Sequence, residues 1–484
     1  MTQGLGHREV IDPSKIRYSP TIRLFDPNGR VFFYDGRVYR GVYPHRVEFV
    51  KRLFAEHVVQ PFAGRKLLIG TYLTEKRLDG FGLILEHDQV EVVTRPKEWS
   101  FVTYIEAAKS YLKLFRELHI RGLALIDGHC NNFSLAPGGR VVWHDFGSII
   151  EARKDSLSGL GEFLTEFYYP LRFYRRIGYF PIMRRMGLHC GKDDYYRLTS
   201  HRLFSLVHLA HQNQDRYWAK GIRKAYSLFS NRYLASAGTT EFARFIMSKL
   251  RGEAFEYRHV RRFIDSLYRE ICDIPIRFNL TQWGDYHQTS NLNQTLGKPR
   301  GKRQTRIFEA LKDIKPSRVL DLGANQGVFS HLASQVSPCV ISSDLDETAV
   351  AKHAYTMLSM NKDSHIYPVL FNAIQMSDDV INRYRSHTVM ALALTHHLRL
   401  SQRFPFGFIA KMLSRVTEKV LLTEFMPNGL GGLRKHPDPL PDDYTLESFL
   451  LAFQPYFRSV EVIDYDIGAS NSPRTLVICR KREA

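Results

Sequence analysis

The sequence predicts an α/β protein with a doubly wound parallel sheet toward its C-terminus, preceded by an α+β domain with a helical extension. Three observations lead to this fold class. The 484 residues exceed the usual size of one hydrophobic core, so two or three domains are expected. After residue 303, short apolar runs alternate with helical patterns, which is typical of parallel sheets. One of these runs ends in an acidic residue and a glycine-bearing turn, as at the ligand-binding edge of such a sheet.

Changes of pattern along the chain predict four segments. Residues 1–155 carry short strand patterns and one long amphipathic helix, and they form the α+β domain. Residues 156–290 are predicted to be mostly helical. Residues 291–303 are polar, with glycine, proline and basic residues, and are predicted to be a linker. Residues 304–484 form the domain of alternating strands and helices.

Several elements are predicted with defined positions. In the N-terminal segment, Asp35-Gly36 indicates a hairpin turn between two strands, and a helix is predicted from Tyr104 to His119. Seven strands are predicted in the C-terminal domain: Arg318–Leu322, Cys339–Ser343, Tyr367–Leu370, Thr388–Leu394, Val420–Phe425, Val460–Tyr465 and Arg474–Cys479.

The formal net charge is +19, and most of it belongs to residues 1–299, which carry 45 Lys and Arg against 30 Asp and Glu. Such a surface favours anionic partners, including phosphorylated substrates, nucleic acid or an acidic membrane face, and it is equally compatible with a solvated basic surface. The five cysteines have neither zinc nor redox spacing. No signal peptide and no membrane-spanning apolar run is recognised, so a reducing cytoplasm is the expected location.

The segment RVLDLGANQGVFS, from Arg318 to Ser330, carries the strongest site motif. The apolar strand ends at Asp321, and a turn containing Gly323, Asn325 and Gly327 leads into a helix. Glycine permits close backbone approach to a ligand, asparagine tolerates left-handed dihedral angles, and the helix start offers N–H groups. Because the order is D-x-G-x-x-x-G, the acid ends the strand, where it can reach an ammonium group. This order suits S-adenosylmethionine (SAM) better than a dinucleotide.

Two further strand ends complete the predicted cofactor site. The second strand ends at Asp344, roughly 20 residues after the turn, where a carboxylate can accept both ribose hydroxyls of an adenosine. Asp346 competes for that role. The third strand leads to Asn372, whose side chain can contact the adenine edge. In this fold, ligands sit at the carboxyl ends of the strands, where these residues lie.

The fourth and fifth strands are predicted to face the space in which a methyl acceptor would lie. His396 follows the fourth strand and is either a general base for a hydroxyl proton or a structural histidine. Glu424 ends the fifth strand and either binds or deprotonates an acceptor hydroxyl, or forms a salt bridge with an arginine. Trp283, upstream of the domain, can cover the cofactor by stacking or pack the linker onto the sheet. Methyl transfer requires mainly alignment and the exclusion of water, so few catalytic residues are expected.

Four segments in the same order, VLDLGANQGVFS, ISSDLDETAV, MALALTHHL and LLTEFMP, resemble class I SAM-dependent methyltransferases. The resemblance implies a Rossmann-like methyltransferase sheet for the C-terminal domain. It also implies that Asp321, Gly323 and Gly327 hold the cofactor and that Asp344 binds its ribose. LALTHHL, TEFMP and the upstream LILEHDQVEVVTRPKEWSF and TQWGDYH resemble a bacterial group of nodulation-type and polysaccharide-associated methyltransferases over most of the chain. Many relatives carry an aspartate where Asn372 stands.

A second constellation lies in the N-terminal segment and resembles the C-lobe of a protein kinase. Asp127 precedes Asn132 by five residues, and Asp145-Phe-Gly follows thirteen residues later. In kinases the first residue orients a hydroxyl and the other two hold magnesium on ATP, which makes Asn132 and Asp145 candidate magnesium ligands and ATP a candidate cofactor. No glycine-rich loop or V-A-I-K-type lysine is present, although Arg40, before the helix carrying Glu48, can stand in for that lysine. A degenerate kinase-like module is preferred over residues that only cap turns.

Together these observations predict a SAM-dependent methyltransferase that acts on a hydroxyl of a glycan or small molecule, with the kinase-like module binding or presenting the substrate. Three alternatives remain: a bifunctional kinase–methyltransferase of polysaccharide biosynthesis, a nucleic-acid methyltransferase, and a non-catalytic SAM-binding scaffold. The nucleic-acid alternative is not favoured, because no N-P-P-Y-type segment follows the fourth strand. The basic and aromatic residues from Leu171 to Arg185 suit peripheral contact with RNA, an anionic membrane or a phosphorylated glycan, or a solvated amphipathic helix pair. The oligomeric state is not predicted.

Overall fold

The computed structural model describes most of the chain, namely residues 9–19, 26–152, 159–185, 187–191, 194–195, 216–222, 257–281, 283–284, 297–360, 364–430, 439–465, 467 and 473–482. The chain divides into two compact units. The first consists of Met1–Val90, Tyr104–Ser134 and Val141–Ile276, and the second of Glu91–Thr103, Leu135–Arg140 and Arg277–Ala484. Each is described by itself.

The first unit contains a five-stranded antiparallel sheet in the order β1-β2-β3-β5-β4. The predicted hairpin is confirmed, because β2 and β3 pair antiparallel around a turn in which Asp35 and Gly36 have φ of 47° and 70°. Asparagine, aspartate and glycine favour these left-handed angles, which match the twist of the strands. The strands are Arg17–Tyr18 (β1), Gly29–Tyr34 (β2), Arg37–Val42 (β3), Thr71–Leu73 (β4) and Leu83–His87 (β5).

Helices and two short strand pairs complete the first unit. The predicted long helix is observed as α3, whose Tyr111 ring lies 4.9 Å from that of Phe163 and 5.4 Å from that of Trp143, so aromatic packing fixes its inner face. Strand β6 pairs with β9, and β7 with β8. The α-helices with both ends inside the described residues are Val47–Ala55 (α1), Val59–Gly64 (α2), Phe101–Ile120 (α3), Leu160–Phe163 (α4), Tyr169–Ile177 (α5), Pro181–Arg185 (α6) and Tyr257–Cys272 (α7). The remaining strands described are Leu123–Leu125 (β6), Phe133–Leu135 (β7), Val141–Trp143 (β8) and Ile149–Glu151 (β9).

Between residues 156 and 290 the described segments include helices α4 to α7, and the rest of the predicted helical extension lies outside the described residues. In the basic and aromatic segment, Phe173, Tyr174 and Met183 are buried, whereas Arg175 and Arg176 are exposed. This distribution is that of an amphipathic helix pair. Within the described residues, no helix is long and apolar enough to cross a membrane.

The second unit is built on a seven-stranded sheet in the order β12-β11-β10-β13-β14-β16-β15, which confirms the predicted doubly wound sheet. Strands β10 to β14 are parallel, and β16 runs antiparallel between β14 and β15. The order of connection reverses beside β10, which creates a crevice between the carboxyl ends of β10 and β13. The strands are Val319–Leu322 (β10), Val340–Asp344 (β11), Ile366–Leu370 (β12), Ser386–Ala391 (β13), Thr417–Phe425 (β14), Ser459–Asp464 (β15) and Thr475–Arg480 (β16).

Within the part of the unit that the structure describes, six helices flank this sheet, and its central strands are apolar because they are covered on both faces. Leu311, Val319, Met390 and Leu422 are fully buried members of one core cluster. Helix α8 begins inside the segment predicted as a linker, of which residues 291–296 lie outside the described part. The helices are Gly301–Ile314 (α8), Val328–Ala333 (α9), Glu347–Met360 (α10), Asp378–Tyr384 (α11), Phe406–Val416 (α12) and Leu446–Phe453 (α13).

Residues 91–103, which include the first three residues of helix α3, pack within the second unit. The buried carboxylate of Glu98 accepts hydrogen bonds from the Arg383 guanidinium at 2.5 and 2.9 Å and from the Tyr384 hydroxyl at 2.6 Å. The backbone N–H of Phe101 donates to Glu347 Oε1 at 2.9 Å. The second unit therefore includes a segment that lies some 200 residues before its sheet in the chain.

Candidate functional site

Asp321 lies at the carboxyl end of β10 and is only 2% exposed. Its Oδ2 accepts a hydrogen bond of 2.6 Å from the Ser330 hydroxyl in α9. Burial raises the pKa of Asp321 to about 7, and this rise is opposed by the Ser330 hydrogen bond and reinforced by the nearby Asp344 carboxylate. The side chain is therefore a buried carboxyl group poised between its neutral and charged forms near neutral pH. A cationic group placed beside it would favour the charged form.

The turn after β10 is built from residues in left-handed conformation. Gly323, Asn325 and Gly327 have φ of 72°, 52° and 80°, as the glycine-bearing motif predicted. A Cβ atom at Gly327 would lie 2.0 Å from Cε1 of the buried His353, so this position requires glycine for space as well as for conformation. At Gly323 a Cβ would be 3.5 Å from Leu394, so its constraint is mainly the dihedral angle.

Asp344 ends β11 and holds the same turn from the neighbouring strand. Its Oδ2 accepts from the Asn325 N–H at 2.8 Å, and its Oδ1 accepts from the Asp346 N–H at 2.9 Å. Burial raises its pKa, and the two backbone hydrogen bonds oppose that rise. Each carboxylate oxygen has a second lone pair, so Asp344 retains capacity for ligand hydroxyls. The competitor Asp346 instead accepts from the Thr348 and Ala349 N–H groups and caps helix α10.

Asn372 follows β12, the edge strand next to β11. Its side-chain oxygen accepts from the Ile374 N–H at 2.9 Å, which caps a short helical turn. The contact between Asn372 and an adenine edge stays a prediction. It would use the NH2 group of the side chain, which can donate hydrogen bonds to a ligand.

Trp283 bridges the crevice between β10 and β13. Its carbonyl accepts a hydrogen bond of 2.7 Å from the Asn325 side chain, and its ring lies edge-on to the His397 ring at 4.7 Å. The neighbouring Gly284 carbonyl accepts from Gln326 Nε2 at 3.0 Å. The segment is thus attached to the turn after β10 on one side and to the histidines that follow β13 on the other.

Glu424 lies near the carboxyl end of β14, is fully buried, and is bound by two arginines. Arg303 of α8 donates to Oε1 at 2.6 Å and to Oε2 at 2.7 Å, and Arg474 donates to Oε2 at 3.2 Å. The Ala393 N–H also donates to Oε2 at 2.9 Å. Burial would raise the pKa of Glu424, but the arginines outweigh it and lower the pKa. This geometry favours the salt bridge over deprotonation of an acceptor, because a carboxylate held so firmly in its charged form is a weak base.

His396 and His397 follow β13 with ring centroids 4.1 Å apart. Burial lowers the pKa of His396 to about 2 and that of His397 to about 4, with Arg474 contributing to both. Both rings are therefore neutral at physiological pH. Nδ1 of His396 is buried without a hydrogen-bond partner among the residues that the structure describes, so it can accept or donate one bond to a ligand.

Three residues of this site were not predicted from the sequence. Ser330 supplies the hydrogen bond to Asp321, and its signal was present, since it is a hydroxyl residue one turn into the helix after Gly327. Arg303 and Arg474 lie 121 and 50 residues from Glu424, and neither carries a local signal for that contact.

In the first unit, the kinase-like residues lie at the ends of the short strand pairs. Nδ2 of Asn132 donates to the Asp127 carbonyl at 2.9 Å. Oδ1 of Asp145 accepts from the Gly147 N–H at 3.1 Å and lies 3.8 Å from the Arg40 guanidinium. Burial raises the pKa of Asp145, and Arg40 opposes that rise. The magnesium and ATP assignments to Asn132 and Asp145 stay predictions.

Arg40 is buried on β3 and contacts both Asp145 and Asp26. Glu48, which would pair with it in an active kinase, is exposed and lies 3.1 Å from Lys51 instead. Arg40 thus places a positive charge beside the carboxylate that the kinase resemblance assigns to magnesium.

The second unit has the doubly wound sheet, the left-handed turn and the paired strand-end carboxylates that the resemblance to class I SAM-dependent methyltransferases predicted, and the resemblance is confirmed at the level of the fold. No protein-family model matches the chain. Among curated proteins, the chain is 23% identical over 462 residues to "Nodulation protein NoeA" of Rhizobium meliloti (strain 1021), covering 90% of this chain and 91% of that protein.

Solved structures with partial similarity include three methyltransferases. The "bifunctional kinase-methyltransferase WbdD" is 17% identical with a TM-score of 0.30 and covers 43% of this chain and 44% of that one. The N-methyltransferase NodS from Bradyrhizobium japonicum WM9 is 10% identical with a TM-score of 0.28, over 37% of this chain and 97% of its own. The magnesium protoporphyrin IX methyltransferase (ChlM) from Synechocystis PCC 6803 is 13% identical with a TM-score of 0.28, over 37% and 85%.

Proposed function

We propose that the chain is a SAM-dependent methyltransferase that transfers a methyl group to a hydroxyl of a glycan or small molecule. The observation that carries the proposal is the meeting of Asp321, the left-handed turn and Asp344 at one edge of the parallel sheet. A buried carboxyl group and a second carboxylate with spare lone pairs suit a ligand that has both an ammonium group and vicinal hydroxyls. SAM has both of these groups.

The described residues fit this cofactor, each with a separate task. Asp321 binds the ammonium group, the turn allows the backbone to approach the ligand, and Asp344 accepts the ribose hydroxyls. Asn372 contacts the adenine, and Trp283 covers the crevice. When bound, SAM supplies an already activated methyl group, so the protein contributes alignment and a site without water.

On the acceptor side, His396 is the residue we assign to the acceptor hydroxyl. Its ring is neutral and buried, and its Nδ1 has no hydrogen-bond partner within the described part of the chain, which supports a role in accepting a hydrogen bond from that hydroxyl. With a pKa of about 2 the ring is too weak a base to take the proton from a neutral hydroxyl, so it would first orient that hydroxyl. It would accept the proton only as the new C–O bond makes the oxygen strongly acidic, and would then pass the proton to solvent. Glu424 stabilises the two arginines around this site.

The first unit is proposed to be a degenerate kinase-like module that binds or presents an anionic or glycan substrate. The spacing of Asp127, Asn132 and Asp145 and the hydrogen bond between the first two support the kinase-like arrangement. The guanidinium of Arg40 beside Asp145 favours substrate binding over magnesium-dependent phosphoryl transfer, because it neutralises the carboxylate that magnesium would require.

Calorimetric titration of SAM into the full-length protein tests the cofactor site. Gly323→Val and Asp344→Ala are expected to abolish SAM binding while the circular dichroism spectrum is retained. Gly80→Val is a matched control, because Gly80 also has positive φ (87°) and open space but lies in the first unit. Affinity like that of the wild type in both site variants would refute the cofactor assignment.

Radiolabelled methyl transfer from SAM to fractionated glycan and small-molecule extracts identifies the acceptor. SAM binding without transfer to any fraction would favour a non-catalytic scaffold, and transfer to RNA or DNA with steep salt dependence would favour a nucleic-acid substrate. Incubation with labelled ATP and magnesium tests the first unit. Phosphate incorporation that is lost in Asp145→Ala would instead support the bifunctional kinase–methyltransferase.

A further inference from the structure

A cluster of potential metal ligands lies in the first unit, apart from the predicted magnesium pair. Asp127, His129 and Glu162 each offer one ligand atom, and these atoms all lie within 4.8 Å of one another. Nε2 of His129 is 3.2 Å from Oδ1 of Asp127. Ligand atoms around a four-coordinate zinc ion are separated by about 3–3.5 Å, so only small side-chain movements would complete a coordination shell.

Glu166 contacts the ring nitrogen of His129 that does not face Asp127. Its Oε1 lies 2.5 Å from Nδ1 of His129, and its Oε2 accepts from the Cys130 N–H at 2.9 Å. Both carboxyl oxygens of Glu166 are therefore engaged by the segment that carries two of the three ligands. A carboxylate bound to Nδ1 orients the ring so that Nε2 faces Asp127, where a metal ion can take the place of a proton between them, as in carboxylate–histidine–metal sites.

Two glycines bring the ligand-bearing segments together. A Cβ at Gly128, between the two ligands Asp127 and His129, would lie 2.2 Å from the Gly159 carbonyl. Gly159 has φ of 82°, and a Cβ there would lie 1.9 Å from the Leu125 carbonyl. Helix α4, which carries Glu162, starts directly after Gly159. The close approach of these backbones is what places Glu162 beside the other two ligands.

The charge of the cluster also favours a cation. No Lys or Arg forms an ion pair with Glu162 among the residues that the structure describes, and Asp127 and Glu166 add two carboxyl groups around one imidazole. Carboxylates that share a confined site are stabilised by a cation between them.

We propose that Asp127, His129 and Glu162 bind one divalent first-row transition-metal ion, with Glu166 orienting the histidine. One imidazole nitrogen and two carboxylate oxygens suit zinc, manganese or iron, whereas magnesium prefers a shell of oxygens alone. Three protein ligands leave at least one coordination position open, which would take an oxygen atom of an anionic ligand bound by this unit.

Metal titration of the full-length protein tests the site. Protein treated with chelator is titrated with ZnCl₂, MnCl₂ and MgCl₂ by calorimetry and with CoCl₂ by visible absorption. One ion per chain is expected, with zinc and manganese bound more tightly than magnesium. The readout is independent of methyl transfer, so failure of the proposed enzymatic function would leave this result unchanged.

Three variants assign the ion to the cluster. Glu162→Gln is expected to remove stoichiometric binding, and Glu166→Gln to weaken it by about 10- to 100-fold, the usual effect of losing such a supporting group. Glu151→Gln is the matched control, because Glu151 is an exposed carboxylate of the same unit that pairs with Arg52. Thermal unfolding checks that each variant is folded. Absence of stoichiometric binding to the wild type, or equal affinity in folded Glu162→Gln, would overturn the proposal.

Discussion

Replacement of Asp321 by asparagine is expected to stabilise the protein above neutral pH and to abolish its affinity for SAM. The carboxyl group is 2% exposed, and burial raises its pKa from 3.8 to about 7. A tenfold change in proton affinity is worth about 1.4 kcal/mol, so keeping this group charged in the folded state costs about 4 kcal/mol. The cost is absent below pH 3.8, grows as the pH rises toward 7, and is complete above it. Asparagine carries no charge and removes the cost.

The same pKa determines how SAM affinity depends on pH. Only the ionised carboxylate binds an ammonium group strongly, and about one tenth of Asp321 is ionised at pH 6 against about nine tenths at pH 8. Because apparent affinity scales with the competent fraction, it is expected to rise about tenfold between these pH values. Ser330→Ala removes the hydrogen bond that stabilises the carboxylate, so it should move the midpoint of this rise to higher pH.

Calorimetry at pH 6, 7 and 8 measures the affinity, and urea unfolding at the same pH values measures the stability. Titrations in two buffers of different ionisation enthalpy also give the number of protons released on binding, and the difference between wild type and Asp321→Asn isolates the contribution of this group. An affinity that does not change from pH 6 to 8, or an Asp321→Asn variant that is less stable than the wild type at pH 8, would refute the reasoning.

Three further substitutions, two of them with a matched control variant, test the framework around the site. Gly327→Ala is expected to destabilise the protein by more than about 1 kcal/mol and to weaken SAM binding, because the new Cβ would clash with His353. Its control is Gly407→Ala, in helix α12 with open space, which should be neutral or stabilising by up to about 1 kcal/mol. Thermal unfolding of both variants measures the difference. Glu424→Gln should cost about 3–5 kcal/mol in urea unfolding, since it leaves two arginines without their buried carboxylate, and equal stability would contradict that ion-pair role. Glu98→Gln should cost a similar amount through Arg383 and Tyr384, whereas exposed Glu48→Gln should change stability by less than about 0.5 kcal/mol.

Much of the second unit could be predicted because its signals are local. Asp321 and Asp344 end adjacent parallel strands, so their carboxylates had to meet at one edge once the strands were recognised. The glycines of the turn were recognisable since few other residues adopt positive φ. By contrast, residues 91–103 join this unit through Glu98 and Arg383, which are 285 residues apart. No pattern within either segment indicates that contact, so the sequence placed them in different domains.

Asp321 and Glu424 show that a position at a strand end does not by itself predict whether an acidic residue binds a ligand. Both are buried near the carboxyl ends of strands in one sheet, and both were predicted to act on ligands. Asp321 has a hydroxyl as its hydrogen-bonding partner, and its pKa rises to about 7, so a cationic ligand can complete its environment. Glu424 accepts hydrogen bonds from two arginines and a backbone N–H, and its pKa falls, so its charge is compensated by the protein itself. The partners that separate a ligand-binding acid from a structural one come from distant parts of the chain, and only the fold brings them together.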